Sequence, residues 1–363
     1  MFAASLVRRG MELASDPEQP SIHVSGWLIG LFFFTVLAAF FALFKIEYTY
    51  GMVVASLAAI EETNPDIYVR IDTDFDPTKP VDPAAPIDPV TVEAARPKPI
   101  TSKLRTTIKH LRTRAGYWSR FRGFKALLAY TAAQGFLYSI VSSVVPLPVD
   151  SFLGHFIVGL IISVLLANLQ LAWIHIVISE PSPKRFYQRI PGYKAWVNFA
   201  PMVVLEQVVV LATFFLPMVA IVALGGFKDI DFTSGHVNAP SYRALSLALL
   251  LLSGPLLLCG LVSIPVRAVV IRVAASMLPE EDEAIVPFDR SFGGKVTPSI
   301  LGGSGKVSIR DAWTTFDGPA RMRYFKVIAK VVAMQLGAIV FFGLLIGAEV
   351  YAGALPSSGS GNK

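Results

Sequence analysis

The sequence predicts an all-helical, polytopic membrane protein with six transmembrane helices, and three observations carry that prediction. Apolar residues make up 53% of the chain and charged residues only 16%, a balance outside the usual range of soluble domains. The apolar residues fall in continuous runs of about 20 or more, the length a helix needs to cross the hydrocarbon. Lys and Arg, finally, gather in alternate connectors: twenty-two lie in 63–125, 180–195 and 277–323, against five in the other connectors and the two tails. The bias of insertion toward cationic loops on the inner side then puts these three connectors on one face of the membrane and both termini on the other.

The predicted spans are Gly26–Ile46, Phe124–Val144, Phe152–Ile178, Val197–Leu224, Ala244–Met277 and Tyr324–Tyr351. Helices are preferred to barrel strands because the runs do not alternate, and lipid requires backbone polar groups to be satisfied inside each segment. Residues 1–25 form an N-terminal tail. It has an Arg pair and no acid before Glu12, as targeting segments do, and then turns acidic, as an ordinary juxtamembrane tail does. The first helix and its extension fill 26–62, because YTYGMVVASLAAI keeps a helical character beyond Glu47. Residues 63–101 repeat Pro and Asp without helical or strand period, so a disordered linker is expected.

The segment 102–123 reverses sign. It is basic and acid-free, with Tyr117, Trp118 and Phe121 among its cations. That pattern suits an interfacial segment whose Arg112, Arg114, Arg120 and Arg122, with Trp118, meet the headgroups of an anionic lipid. Nucleic acid is not expected as a partner for a patch tethered directly to a span. The remaining five spans occupy 124–353, interrupted by a long polar loop at 277–323, and 354–363 is a flexible tail. Within the long loop, SFGGKVTPSILGGSGKV lacks the spacing of a phosphate-binding loop and reads as flexible.

Trp-x-x-Phe occurs before each even-numbered span, as Trp118/Phe121, Trp196/Phe199 and Trp313/Phe316, and before no odd one. The stretches after the third and fifth spans also echo each other, with Ser179 and Ser276 closing the helices and Pro191 and Pro287 beyond them. Six helices in three odd-helix, loop, even-helix pairs, with the basic loops on one side, resemble the mitochondrial carrier family. The resemblance implies a bundle of three pseudo-repeated helix pairs, a location in the mitochondrial inner membrane and carriage of a small anionic solute. That family's odd helices carry a Pro-x-acid-x-x-base signature. Here the fifth span has Pro265-Val-Arg267, a base where the acid stands, followed by Arg272, and the first and third spans lack the proline. A non-transporting scaffold or lipid- and partner-binding protein derived from such a fold is the alternative.

Ionisable side chains inside spans are costly and ask for partners or a water-lined cavity. His175, Glu206, Arg267, Arg272 and Lys330 all map to the basic-side half of the bundle. They are expected to form one polar cluster, with Glu206 paired to Arg267 or Arg272, His175 nearby, and surplus positive charge for an anion. Gln134 and Gln335 are expected to bond between helices, and Gly343 with Gly347 to allow close helix packing. Glu349 is expected near the opposite interface. Cys259, the one cysteine, lies among leucines as a small packing residue. No HExxH, GxSxG, Walker or EF-hand pattern occurs, so no enzyme, metal site or cofactor is expected.

Overall fold

The computed structural model describes residues 26–62, 99–144, 152–223, 253–297 and 302–354, with positions 246 and 250. The expectations for the N-terminal tail, for residues 63–98 of the linker, for the connectors 145–151 and 226–243, and for the C-terminal tail lie outside these residues. The described chain is helical. Its helices are α1 (Gly26–Ile46), α2 (Ala55–Ile60), α3 (Leu104–Ala115), α4 (Phe124–Val144), α5 (Phe152–Leu165), α6 (Ala167–Ile178), α7 (Tyr193–Ala223), α8 (Ile264–Ser276), α9 (Ile309–Thr314) and α10 (Gly318–Ala354). Five helical runs are long and apolar enough to cross a membrane, Gly26–Ile60, Tyr117–Val144, Tyr193–Ala223, Ser253–Ser276 and Gly318–Ala352; the pair α5 and α6, bent by 58° at Leu166, makes six if it counts as one span. The chain is thus compatible with an integral membrane protein.

Contacts divide the molecule into two units, one containing residues 26–47 and 330–354, the other 48–329. In the first unit α1 and the distal part of α10 are apolar nearly all round, with Phe33, Phe34, Phe40, Phe41, Val340 and Leu344 exposed, as lipid-facing helices are. Two polar contacts tie them: Thr35 Oγ1 donates to Glu349 Oε1 at 2.6 Å, and Gln335 Nε2 donates to Glu47 Oε2 at 2.7 Å. Glu349, expected near an interface, is therefore a hydrogen-bond acceptor between helices. Gly343 and Gly347 do not mark a close crossing, because among the described residues nothing comes within 4 Å of the space a Cβ would fill.

The second unit holds the core. The C-terminal ends of three helices, α2, α6 and α8, pack on one another through Leu57, Ala58, Ile60, Ile174, Val177, Ile178, Val270, Ile271 and Ala274, all at most 2% exposed. We refer to this knot as the plug. Each of these helices is preceded by an irregularity: a π-helical stretch at Glu47–Val54 before α2, the bend at Leu166 before α6, and a π-helical stretch at Cys259–Ser263 before α8. π-Turns and bends of this kind reorient a helix.

Two loop expectations are corrected. The linker does not stay disordered to its end, because Glu61, fully buried, accepts the N–H groups of Ile100 at 2.5 Å and Thr101 at 2.9 Å, and the Thr101 hydroxyl as well. A buried carboxylate with several donors fixes the chain that supplies them. The segment expected to be flexible is packed at its described ends, with Phe292 and Val307 at most 1% exposed, as are Ile285 and Val286 before it, at most 4% exposed. Residues 283–287 lace the helix ends together, through Glu180 N to Glu283 O at 2.7 Å, Ile285 N to Ile178 O at 2.9 Å and Glu62 N to Pro287 O at 3.2 Å. Ser308 caps α9 by accepting from Asp311 N at 3.1 Å, the arrangement expected of a serine N-cap.

Candidate functional site: a cavity beside the plug

A cavity of about 290 Å³ lies in the second unit, bordered by five of the spanning segments; its polar lining consists of Tyr130, Gln170, Trp173, Glu206, Gln207 and Arg267, and Met52, Leu127 and Val210 complete it. On the three helices that end in the plug, the lining residues precede the plug residues: Met52 comes before Leu57, Gln170 and Trp173 before Ile174 and Val177, and Arg267 before Val270. The plug is therefore the floor of the cavity.

Glu206 sits on α7, one turn beyond Met202 and Val203, which are buried, and is itself 8% exposed. Both of its oxygens are engaged. Oε1 accepts from Arg267 Nη1 in a salt bridge, and Oε2 accepts from Gln170 Nε2 at 2.9 Å. Taking a carboxylate out of water costs several kcal/mol, and only a partner with good geometry plus further donors offsets it; the guanidinium and the amide fill these two roles. Trp173 closes one wall. Its indole N–H reaches Tyr48 Oη at 3.5 Å, and Tyr48 donates to Arg122 O at 2.5 Å. The wall depends on Gly123, with φ of 74°: a Cβ there would stand 3.0 Å from Trp173 Cδ1.

The five residues expected to form one cluster separate. Glu206 and Arg267 come together. Arg272 does not join them; it is 1% exposed in the plug region, donating to Ala312 O at 2.9 Å, Ala59 O at 3.1 Å and Thr315 Oγ1 at 3.0 Å, and lying over the rings of Phe292 and Phe316, each 4.9 Å away. Its charge is spread over carbonyls and aromatic faces, and the Glu62 and Asp317 carboxylates add attraction. His175, 2% exposed, places Nε2 at 2.8 Å from Ala274 O, so Nε2 carries the proton and the ring joins α6 to α8. Lys330 is exposed on α10, in the unit described separately.

The expected headgroup residues separate too. Arg112 is exposed over the Tyr117 ring at 5.0 Å, and Trp118 is 74% exposed. Arg114 is exposed and bridges to Glu180 at 3.4 Å. Arg120 is half-buried. Arg122 turns inward, donating to Ile176 O at 3.0 Å and to Ser179 O, because the last carbonyls of α6 have no partner within their own helix. It is a helix cap and not a headgroup contact.

No protein-family model and no curated protein matches the chain.

Sequence reasoning missed Gln170, Tyr130, Trp173 and Gln207. Uncharged polar residues among apolar ones give little signal, although Gln170 stands three residues before Trp173 and hence on the same helix face. Among the described residues no group of three His, Cys, Asp or Glu side chains is placed to hold a metal ion.

Proposed function

We propose that the protein is an integral membrane carrier that holds a small solute bearing a carboxylate or similar anionic group in the cavity beside the plug. The observation that carries this reading is an ion pair, Glu206 with Arg267, lining a cavity among spanning helices and closed on one side by apolar helix ends. Charges are kept inside a membrane bundle where a polar solute or a proton must be met. Arg267, about a third exposed where Glu206 is nearly covered, is the group that would meet the anion.

Three correspondences support reading the chain as three pseudo-repeated helix pairs, in the manner of mitochondrial carriers. Met52, Gln170 and Arg267 each stand nine residues before Glu61, Ser179 and Ser276, and all three line the cavity. Leu57, His175 and Arg272 each stand five residues further on and are buried; His175 bonds to Ala274 O on the next odd helix, and Arg272 to Ala59 O on the one after that. Arg122 and Arg323, at the starts of the second and sixth spans, donate to Ser179 O and Glu61 O. The carrier reading also entails the mitochondrial inner membrane, which fractionation of tagged protein checks. The exposed Arg112, Tyr117 and Trp118 favour contact with an anionic lipid surface.

Purified protein in liposomes, assayed for uptake of anionic and zwitterionic metabolites, tests the proposal. Uptake above protein-free liposomes that is lost in Arg267→Gln is the expected result; no uptake of any compound overturns it. The scaffold reading draws on one specific observation, that both oxygens of Glu206 are already satisfied within the protein.

A further inference from the structure

The carrier reading leaves the solute's chemistry open, and the cavity's own charge narrows it. The two ionised side chains in the lining are Glu206 and Arg267, one of each sign, and they are paired. Arg272, which could have supplied surplus positive charge, is committed to Ala59, Ala312 and Thr315 outside the cavity. A simple anion that drew Arg267 to itself would leave Glu206, 8% exposed, with only the Gln170 amide. Two negative groups would then share one guanidinium in a weakly polar space, where like charges repel strongly.

A solute that carries an ammonium as well as a carboxylate avoids this. Its carboxylate takes the Arg267 guanidinium, its ammonium takes Glu206 Oε1, and the amides of Gln170 and Gln207 supply further hydrogen bonds. The number of opposite-charge contacts rises while the net charge of the cavity stays at zero. The rest of the lining, Trp173, Tyr130, Met52, Leu127 and Val210, is a surface for an apolar body. The volume, about 290 Å³, equals that of roughly ten waters at about 30 Å³ each, enough for an amino acid with a medium-sized side chain.

We infer that the solute is a small zwitterion of the amino-acid type, an ammonium and a carboxylate on a compact apolar body, bound by exchange of the Glu206–Arg267 pair for two pairs with the solute. This rests on the carrier reading of the same cavity. The test uses Val210→Cys, a lining position that makes no polar contact with the solute, in a Cys259→Ser background, purified in detergent, with a charged thiosulfonate reagent that labels only water-accessible thiols. Alanine, leucine and phenylalanine are the zwitterionic probes. The controls are 4-methylpentanoate, which is leucine without its amine, and isopentylamine, which is leucine without its carboxylate.

The expected result is that at least one zwitterion, at ten times its Kd, slows labelling by about ten-fold, and neither control does so at the same concentration. Labelling that none of the three zwitterions slows, or that a control slows equally, overturns the inference and leaves the cavity itself standing. Absence of labelling in the Val210→Cys variant and also in a Gln207→Cys variant overturns the carrier reading. The paired exchange Glu206→Arg with Arg267→Glu keeps the cavity neutral, and once a cooperative melting transition shows it folded, it is expected to retain protection by the same zwitterion. Loss of protection in that folded variant counts against the inferred exchange of pairs.

Discussion

Replacing Glu206 by Gln and Arg267 by Gln, singly and together, measures how strongly the cavity pair is coupled. Removing one partner of a fully buried pair costs roughly 3–5 kcal/mol, and exposure sets where each variant falls. Glu206→Gln leaves a guanidinium whose side chain is 35% exposed, so water screens the orphaned charge and the cost falls to about 2 kcal/mol. Arg267→Gln leaves a carboxylate 11% exposed with the Gln170 hydrogen bond as its remaining partner, at about 3 kcal/mol. The double variant strands no charge and loses only neutral hydrogen bonding, at about 2 kcal/mol. The interaction energy is then about 3 kcal/mol, the upper part of the range for contacting residues. With roughly 2–4 °C per kcal/mol for a domain somewhat smaller than this one, the single variants melt about 4–8 °C and 6–12 °C below wild type, and the double variant no lower than Arg267→Gln alone. Thermal unfolding of detergent-purified protein reads this directly. A double variant whose loss equals the sum of the two singles refutes the pairing.

Three further outcomes follow from the packing. Gly123→Ala should cost about 2 kcal/mol or more, since it places a Cβ at positive φ and against the Trp173 indole; a melting temperature within about 1 °C of wild type would show that the wall has room to relax. Arg272→Lys should cost about 3 kcal/mol, because an ammonium cannot span Ala59, Ala312 and Thr315 as the guanidinium fork does, and the loss should appear as reduced thermal stability. Burial pushes the Asp289 carboxyl up, but the Gly293 N–H, the Ser291 hydroxyl and the Ser291 N–H outweigh it and hold the group below its ordinary range. A depressed folded pKa gives stability that is full above the unfolded value and lost as pH falls through the folded value, so the wild type should lose its advantage over Asp289→Asn on acidification, and a difference that is constant with pH contradicts this.

The helical class and most span positions were legible because they depend on length and hydrophobicity alone. The helix of the second predicted span, α4, begins and ends where its apolar run does, at Phe124 and Val144, and α7 begins only a turn before the predicted Val197. Irregularities inside spans were not legible. The bend at Leu166 and the π-helical stretch at Glu47–Val54 contain no proline to mark them, and the stretch at Cys259–Ser263 is followed by Pro265, whose missing N–H leaves Leu261 O without its usual donor. The order within 277–323 was hidden for a similar reason: Phe292 and Val307 are isolated apolar residues in polar surroundings, and only the helix ends they cover make them core.

The candidate site was half legible, and the reason lies in how depth and direction are encoded. Counting residues from a loop gives depth at about 1.5 Å per residue, which is the ground on which His175, Glu206, Arg267, Arg272 and Lys330 are grouped from the sequence. Direction requires the rotation about each helix axis. Five residues at about 100° each turn a side chain roughly 140° from its starting face, so Arg267 and Arg272 cannot both face the cavity, and neither can Gln170 and His175. On α8 the cavity takes Arg267 and the plug takes Arg272; on α6 the cavity takes Gln170 and the plug takes His175. What decided between the members of each pair was the partner available on the inner face. Ala274 O, which also takes the Met277 N–H, and Ala59 O accept from His175 and Arg272, near helix ends where carbonyls run short of intrahelical donors. The cation that lines the cavity is therefore Arg267, already paired with Glu206, and under the carrier reading the charge offered to a solute is set by which face of α8 the plug claims.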